Sequence, residues 1–260
     1  MIRGVLFDYD GTIAETRERQ FAWFKHWAKM NDIPFKIDDI HSFIEFYNEH
    51  CNEKSVQAVY DALGLPCVLE DREHPVWVAY EEFKDKYTIK FYSGMRDAIR
   101  KIHTLGNLSE DALTNKRLRL GINTSNTWRT IQKELKDQGV LGYFDSFVTR
   151  ETLEAYDGNN SPLLTKPSKI SVALSLDVLD CDGESVIHVG DTLSDLKASI
   201  DVRKSGTCRF ENLITIGVGW GYDGRKSLEH GVTTRSGSVY FDHIVDKPKQ
   251  LVDVIRGYVG

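Results

Sequence analysis

The chain has 260 residues, 41% of them hydrophobic and 28% charged, which is ordinary globular composition with enough length to bury a core without disulfides. Its formal net charge is −6, from 39 acidic and 33 basic residues, which argues against the broad basic surface that nucleic acid or an anionic membrane would need. The four cysteines, Cys51, Cys67, Cys181 and Cys208, form no CxxC or Cys/His ligand spacing, so zinc is not expected and the thiols read as reduced.

The N-terminus enters an apolar run at once, without the basic and long apolar regions of a signal peptide. No apolar stretch approaches the ~20 residues needed to cross a membrane, and a cytoplasmic location is expected. Val5-Leu6-Phe7 is the first strand-length run. From about Thr16 to Phe91 the pattern is helical throughout, with segments at Gln20 to Met30, Asp39 to Glu49, Ser55 to Leu63 and Val76 to Tyr87. Phe21, Trp23, Phe24, Trp27, Trp77 and Tyr80 recur there at helical spacings, which suits a packed helical core better than a cofactor box.

After this block, strands at Leu118 to Ile122, Phe144 to Val148, Val186 to Val189 and Leu213 to Val218 alternate with helices at Met95 to Leu105, Trp128 to Gln138, Lys169 to Leu179 and Ser194 to Ile200. Such alternation predicts right-handed crossovers and an α/β, Rossmann-like parallel sheet. The segments Gly106 to Lys116 and 153–165 read as loops. Tyr240 to Val245 and a helix from Pro248 to Ile255 are expected to close the sheet edge. The expected core is therefore discontinuous, residues 1–15 and 92–260, with a helical domain inserted at 16–91.

Chemistry-bearing residues concentrate at strand ends, where open α/β sheets bind ligands. Asp8-Tyr9-Asp10-Gly11-Thr12 follows the first run, Thr124-Ser125-Asn126 the second, and Asp191-Thr192-Leu193-Ser194-Asp195 the strand ending at Gly190. Lys166-Pro167 follows the polar stretch around Gly158. Each alone has a structural explanation: a solvated turn, a helix N-cap or a surface charge. Together they fit one task. Carboxylates gathered at one sheet edge repel by ~4 kcal/mol per pair at ~4 Å and an effective dielectric near ~20. A divalent cation and one lysine would offset that repulsion, and all-oxygen ligands select a hard ion such as Mg2+. A metal, a lysine and a hydroxyl around a carboxylate nucleophile are what phosphoryl transfer requires.

These four motifs, in this order, resemble the haloacid dehalogenase-like hydrolase superfamily, and the helical insertion is similar to the family's C1 cap. The stretch Gly217-Val218-Gly219-Trp220-Gly221-Tyr222 is similar to that of phosphoglycolate-phosphatase-like members. The resemblance implies a phosphatase acting on a small phosphorylated metabolite. It makes Asp8 the nucleophile that forms an aspartyl-phosphate, and Asp10 the acid that protonates the leaving alcohol and then activates water. It places Mg2+ on the Asp8 carboxylate, the Asp10 backbone carbonyl and Asp191, with Asp195 in support. Thr124, Ser125, Asn126 and Lys166 would bind the phosphoryl group. Arg17, Arg19, Lys25 and His26, just past the first motif, are candidate specificity residues. Asn123 departs from the pattern, as a polar residue where an apolar one is commoner.

The presence of Asp10 argues against dehalogenase chemistry. A phosphomutase of the same superfamily and a non-catalytic module that binds a phosphate ligand are the alternatives. A dinucleotide-binding protein is disfavoured because no GxGxxG follows the first strand.

Overall fold

The computed structural model describes residues 2–53, 56–71, 73–105, 117–181, 185–205, 212–235 and 237–259. They divide into two compact units, one of residues 1–14 and 91–260 and one of residues 15–90.

The larger unit is built on six parallel strands: β1 (Ile2–Asp8), β2 (Arg119–Asn123), β3 (Ser146–Val148), β4 (Ser185–Gly190), β5 (Ile214–Val218) and β8 (His243–Val245), in the order β3-β2-β1-β4-β5-β8. β1 lies between β2 and β4, and its Val5, Leu6 and Phe7 are fully buried, as a parallel sheet covered on both faces demands. The chain runs outward from β1 to β2 and β3 on one side and through β4, β5 and β8 on the other. The strand order therefore reverses at β1, which is where such sheets place their ligands. In register, Asp8 pairs with Asn123 and Phe7 with Val189, so the three strand ends that carry the acidic and hydroxyl motifs finish at one level.

The smaller unit contains α1 (Thr16–Met30), α2 (Ile40–Glu53), α3 (Val56–Ala62) and α4 (Pro75–Lys86), and no strand among its described residues. Its core is aromatic. Trp23 stacks on Trp27 at 5.5 Å and donates its indole N–H to the Tyr60 hydroxyl at 2.6 Å, while Phe24 packs on Tyr60 and Phe43. Each indole or phenol so buried contributes a large apolar area and also satisfies its polar atom.

Around the sheet lie α5 (Met95–Leu105), α6 (Trp128–Asp137), α7 (Arg150–Asp157), α8 (Ser161–Leu164), α9 (Lys169–Val178), α10 (Leu193–Arg203), α11 (Gly224–His230) and α12 (Pro248–Val259). Val172 and Leu176 of α9 and Ala198 and Val202 of α10 join Leu6, Val186 and Leu213 in one apolar cluster. Three of these helices, α6, α9 and α10, have capped starts: Thr127 accepts from the Thr130 N–H, Ser168 from the Ile170 N–H, and Thr192 forms a capping box with Asp195.

Four expectations need adjustment. The stretch 153–165 is not a loop but α7, a 3-10 turn at Gly158–Asn160 and α8. Gly158, with φ 41°, ends α7, and Pro162 sits in the first turn of α8, so the turn-forming residues mark helix boundaries. The strands expected over Phe144 to Val148 and Tyr240 to Val245 are shorter and begin at Ser146 and His243. A two-stranded antiparallel ribbon, β6 (Val232–Thr234) with β7 (Gly237–Val239), was not anticipated. The expected loop at 106–116, and Cys208, lie outside the described residues.

Candidate active site

The β1 strand carries the Asp8 carboxylate, 7% exposed, to the sheet edge. The chain then turns sharply: the Gly11 N–H donates to the Ala14 carbonyl at 2.9 Å, and Ile13 and Ala14 donate to the Tyr9 carbonyl. Gly11 takes φ 84°, which a side chain would strain, and a Cβ there would also overlap the Asp191 carboxylate. Thr12 bridges the two acidic motifs by donating its hydroxyl to Asp191 Oδ1 at 3.1 Å.

Lys166 is the hub. Its ammonium pairs with Asp8 Oδ1, lies 2.7 Å from Asp195 Oδ1 and reaches the Asn123 carbonyl at 3.3 Å. Asn123 explains its own departure from the family pattern. Its side-chain amide donates to the Ser171 carbonyl at 2.8 Å and to Ser175 Oγ at 2.7 Å, tying the end of β2 to α9, just past Lys166. Asp10 Oδ2 accepts from Asn126 Nδ2 at 2.6 Å and from the Thr124 hydroxyl at 3.2 Å. Asp8, Asp10, Asn123, Thr124, Ser125, Thr165 and Lys166 line a cavity of about 130 Å3. With each liquid water taking ~30 Å3, that is room for a phosphoryl group and little more. Five of the sequence-predicted positions, Asp8, Asp10, Thr124, Ser125 and Lys166, thus converge on it, whereas Asn126, Asp191 and Asp195 are not in its lining.

A larger cavity of about 710 Å3 runs along α5 and α12, with Tyr92, Lys101, Trp220 and Arg256 in its lining, and contains none of the predicted catalytic residues. Trp220 nevertheless meets the nucleophile loop, donating its indole N–H to the Thr12 carbonyl at 3.1 Å. In the smaller unit, Lys25 lies over the Phe21 ring and His26 packs against Phe83, both on the exposed side of α1.

The electrostatics follow from burial. Burial pushes the Asp8 carboxyl up to about 7, against the pull of Lys166 and with the help of the Asp195 and Asp10 charges. Asp191 is fully buried and also raised, by burial and by Asp8 and Asp195. For Asp195 burial is outweighed by Lys166, and its carboxyl is held below the ordinary range. Burial opposes the charge on Lys166, yet Asp195 and Asp8 keep its ammonium protonated above the ordinary lysine value. Three buried carboxylates therefore share one ammonium.

That imbalance is a test of whether a cation fits. Asp8 Oδ2 is buried with no hydrogen-bond partner, an oxygen in want of a positive ligand. Among the described residues no three carboxylate, imidazole or thiol groups gather as a complete cation site by themselves. The unpartnered Asp8 oxygen and the carboxylates of Asp191 and Asp195, whose charges act on Asp8 or are acted on by it, offer the all-oxygen chemistry that suits a hard cation. Asp195 engages the Thr192 N–H and hydroxyl through Oδ2 and Lys166 through Oδ1.

Sequence reasoning missed what holds Asp191. The Tyr222 N–H donates to its Oδ2 at 2.6 Å, and a Cβ at Gly221 would overlap its carboxylate. The signal was present as Gly219 and Gly221 directly after β5, a run that brings backbone close to another group. His188 on β4 was also missed. It is buried, bonds Ser199 through Nδ1 at 2.6 Å, and burial pushes its imidazole down to about 4.

The family model of haloacid dehalogenase-like hydrolases matches residues 5–203, a span that contains Asp8, Asp10, Thr124, Lys166, Asp191 and Asp195. The chain belongs to that family. This haloacid dehalogenase-like hydrolase is 25% identical over 230 residues to the pyrophosphatase PpaX of Bacillus velezensis, covering 87% of this chain and 88% of the relative. Its fold is similar to that of a haloacid dehalogenase-like family protein of Streptococcus pneumoniae (17% identity, TM-score 0.63, 97% and 98% of the two chains). It is likewise similar to CbbY of Rhodobacter sphaeroides, solved in complex with phosphate (18% identity, TM-score 0.62, 96% of each chain). Among the described residues of the hydrolase, no helix is long and apolar enough to cross a membrane.

Proposed function

We propose that the chain is a Mg2+-dependent phosphatase that hydrolyses a small phosphorylated metabolite through an aspartyl-phosphate on Asp8. The observation that carries this reading is the lysine-bridged carboxylate pair, Asp8 and Asp195, beside a phosphoryl-sized cavity that Asp10 and Thr124 also line. The name of the PpaX relatives adds inorganic pyrophosphate to the phosphomonoesters worth testing.

In this reading Asp8 attacks phosphorus through a carboxylate oxygen as the bond to the leaving oxygen breaks, and Asp10 gives that oxygen its proton. Asp10 then takes a proton from water, whose oxygen attacks phosphorus and releases Asp8. Lys166 neutralises charge on the phosphoryl group and holds Asp8 in position, and Ser125, beside Thr124 in the cavity lining, donates to the phosphoryl oxygens. Mg2+, when bound, would offset negative charge on Asp8, Asp191 and the transferring group. The unit of residues 15–90 serves as the family's cap and carries specificity, with Arg17 and Arg19 as its candidate residues.

The test is phosphate release from a panel of phosphomonoesters and pyrophosphate, with and without Mg2+, for the native chain and Asp8→Asn. The expected result is turnover that needs Mg2+ and is lost in the variant. Phosphate release that survives Asp8→Asn would sink the covalent mechanism. Activity appearing only as phosphoryl return to a sugar phosphate would move the chain to the mutases.

A further inference from the structure

We propose that Asn126 is a positioning residue that aims Asp10 at the leaving group; the proposal rests on the phosphatase reading above. Asn126 does not line the phosphoryl-sized cavity, whereas Asp10 and Thr124 do. It is buried behind them, 7% exposed, and acts on Asp10 by two routes. Its side-chain amide donates directly to Asp10 Oδ2 at 2.6 Å. Its backbone N–H donates to Thr124 Oγ1 at 3.1 Å, and that hydroxyl donates in turn to the same Oδ2 at 3.2 Å.

Asn126 is itself anchored. Its carbonyl accepts from the Arg150 N–H at 3.0 Å, so the start of α7 holds the loop that ends β2. A carboxyl oxygen that accepts two donors has both lone pairs engaged and does not also carry a proton. The transferable proton of Asp10 is therefore placed on Oδ1, and the carboxyl plane is set by Asn126 and Thr124. In the first step the bond from phosphorus to the leaving oxygen breaks, the Asp8 oxygen bonds phosphorus, and the Oδ1 proton passes to the leaving oxygen. In the second step Oδ1 regains a proton from the attacking water. An asparagine amide suits this task because it donates in either protonation state of Asp10 and carries no charge of its own.

The experiment compares kcat/KM for the best alkyl phosphate with that for p-nitrophenyl phosphate, in the native chain, Asn126→Ala and Asn126→Leu. In a phosphoenzyme mechanism this ratio reads only the steps through departure of the leaving group. A nitrophenolate leaves without a proton, and an alkoxide does not. Since general-acid help is worth ~10²–10⁴-fold, misaiming Asp10 should lower the alkyl value at least ~10-fold more than the nitrophenyl value in both variants. Equal losses on the two esters, or a rise in KM alone, would make Asn126 a phosphate ligand or a scaffold residue and overturn the proposal. Loss of folding in both variants, followed by thermal unfolding, would overturn it as well. A native chain that hydrolyses neither ester would remove the phosphatase reading itself, an outcome distinct from any seen only in the variants.

Discussion

At the scale of single residues, the site is a problem in charge balance that one lysine solves in part. Removing it by Lys166→Ala would leave Asp8 and Asp195 buried without their shared cation. Breaking a buried pair from one side costs about 3–5 kcal/mol, so the variant should melt well below the native protein and lose turnover together. Calorimetry and phosphate release check the two losses separately. Asp8 also makes a prediction about pH. Its carboxyl titrates at about 7 in the folded, metal-free chain against an ordinary value of 3.8. Between those values the folded state holds a proton that the unfolded chain has released, so stability falls as pH rises from about 4 to about 7. In Asp8→Asn that part of the slope should vanish, as melting temperatures across this range in chelator will show. Mg2+ should raise the native melting temperature most toward the upper end of the range, where Asp8 is ionised and needs a counter-charge.

At the scale of elements, the strand ends work because short contacts tie them to helices. One tie lies far from the chemistry. Asp242, at the entry to β8, accepts from the Thr215 N–H at 2.7 Å and its hydroxyl at 2.9 Å on β5, and from Arg203 at the end of α10. Burial raises its carboxyl, but the donors outweigh burial and it titrates below the ordinary range. With a depressed folded value, its stabilisation is fully present above the ordinary carboxylate pKa and is lost as pH falls through the folded one. Asp242→Asn should cost about 1–2 kcal/mol near neutral pH and flatten the acid limb of the stability profile, read by urea titration. Activity of the folded variant should be native, because none of these groups lines the phosphoryl-sized cavity.

At the scale of the whole molecule, residues 15–90 leave and rejoin the larger unit at adjacent points. Ala14 forms an antiparallel bridge with Phe91, and the Tyr92 N–H donates to the Ile13 carbonyl at 3.2 Å. Insertions at such closely spaced ends are the kind that can be removed without unravelling the host. A chain in which a short Gly/Ser linker replaces residues 15–90 should fold and still hydrolyse p-nitrophenyl phosphate. It should also discriminate poorly among natural esters. Retention of the native preference by that deletion chain would assign specificity to the larger unit.

Much of this protein was legible in the sequence because its signals are local. Val5-Leu6-Phe7 reads as a doubly covered strand since both faces of a parallel sheet are buried, and Asp8 follows it directly. Met95 to Leu105 is helical in the sequence pattern and in the structure, since its apolar residues recur at the helical period. The motif residues were legible by type and by place at strand ends. Their partners were not, because a hydrogen bond between residues far apart in sequence leaves no periodic trace. Only the tertiary structure brings Asn123 to Ser171 and Ser175, Tyr222 to Asp191 and Asn126 to Asp10. The same reason governs the helices over 153–165: Gly158 and Pro162 announce a break in the chain, and packing decides whether the chain beside it coils or loops. The sequence by itself determined which groups could do chemistry and at which strand ends they stand. Tertiary structure decided what each group is bonded to, since burial and charge act through space.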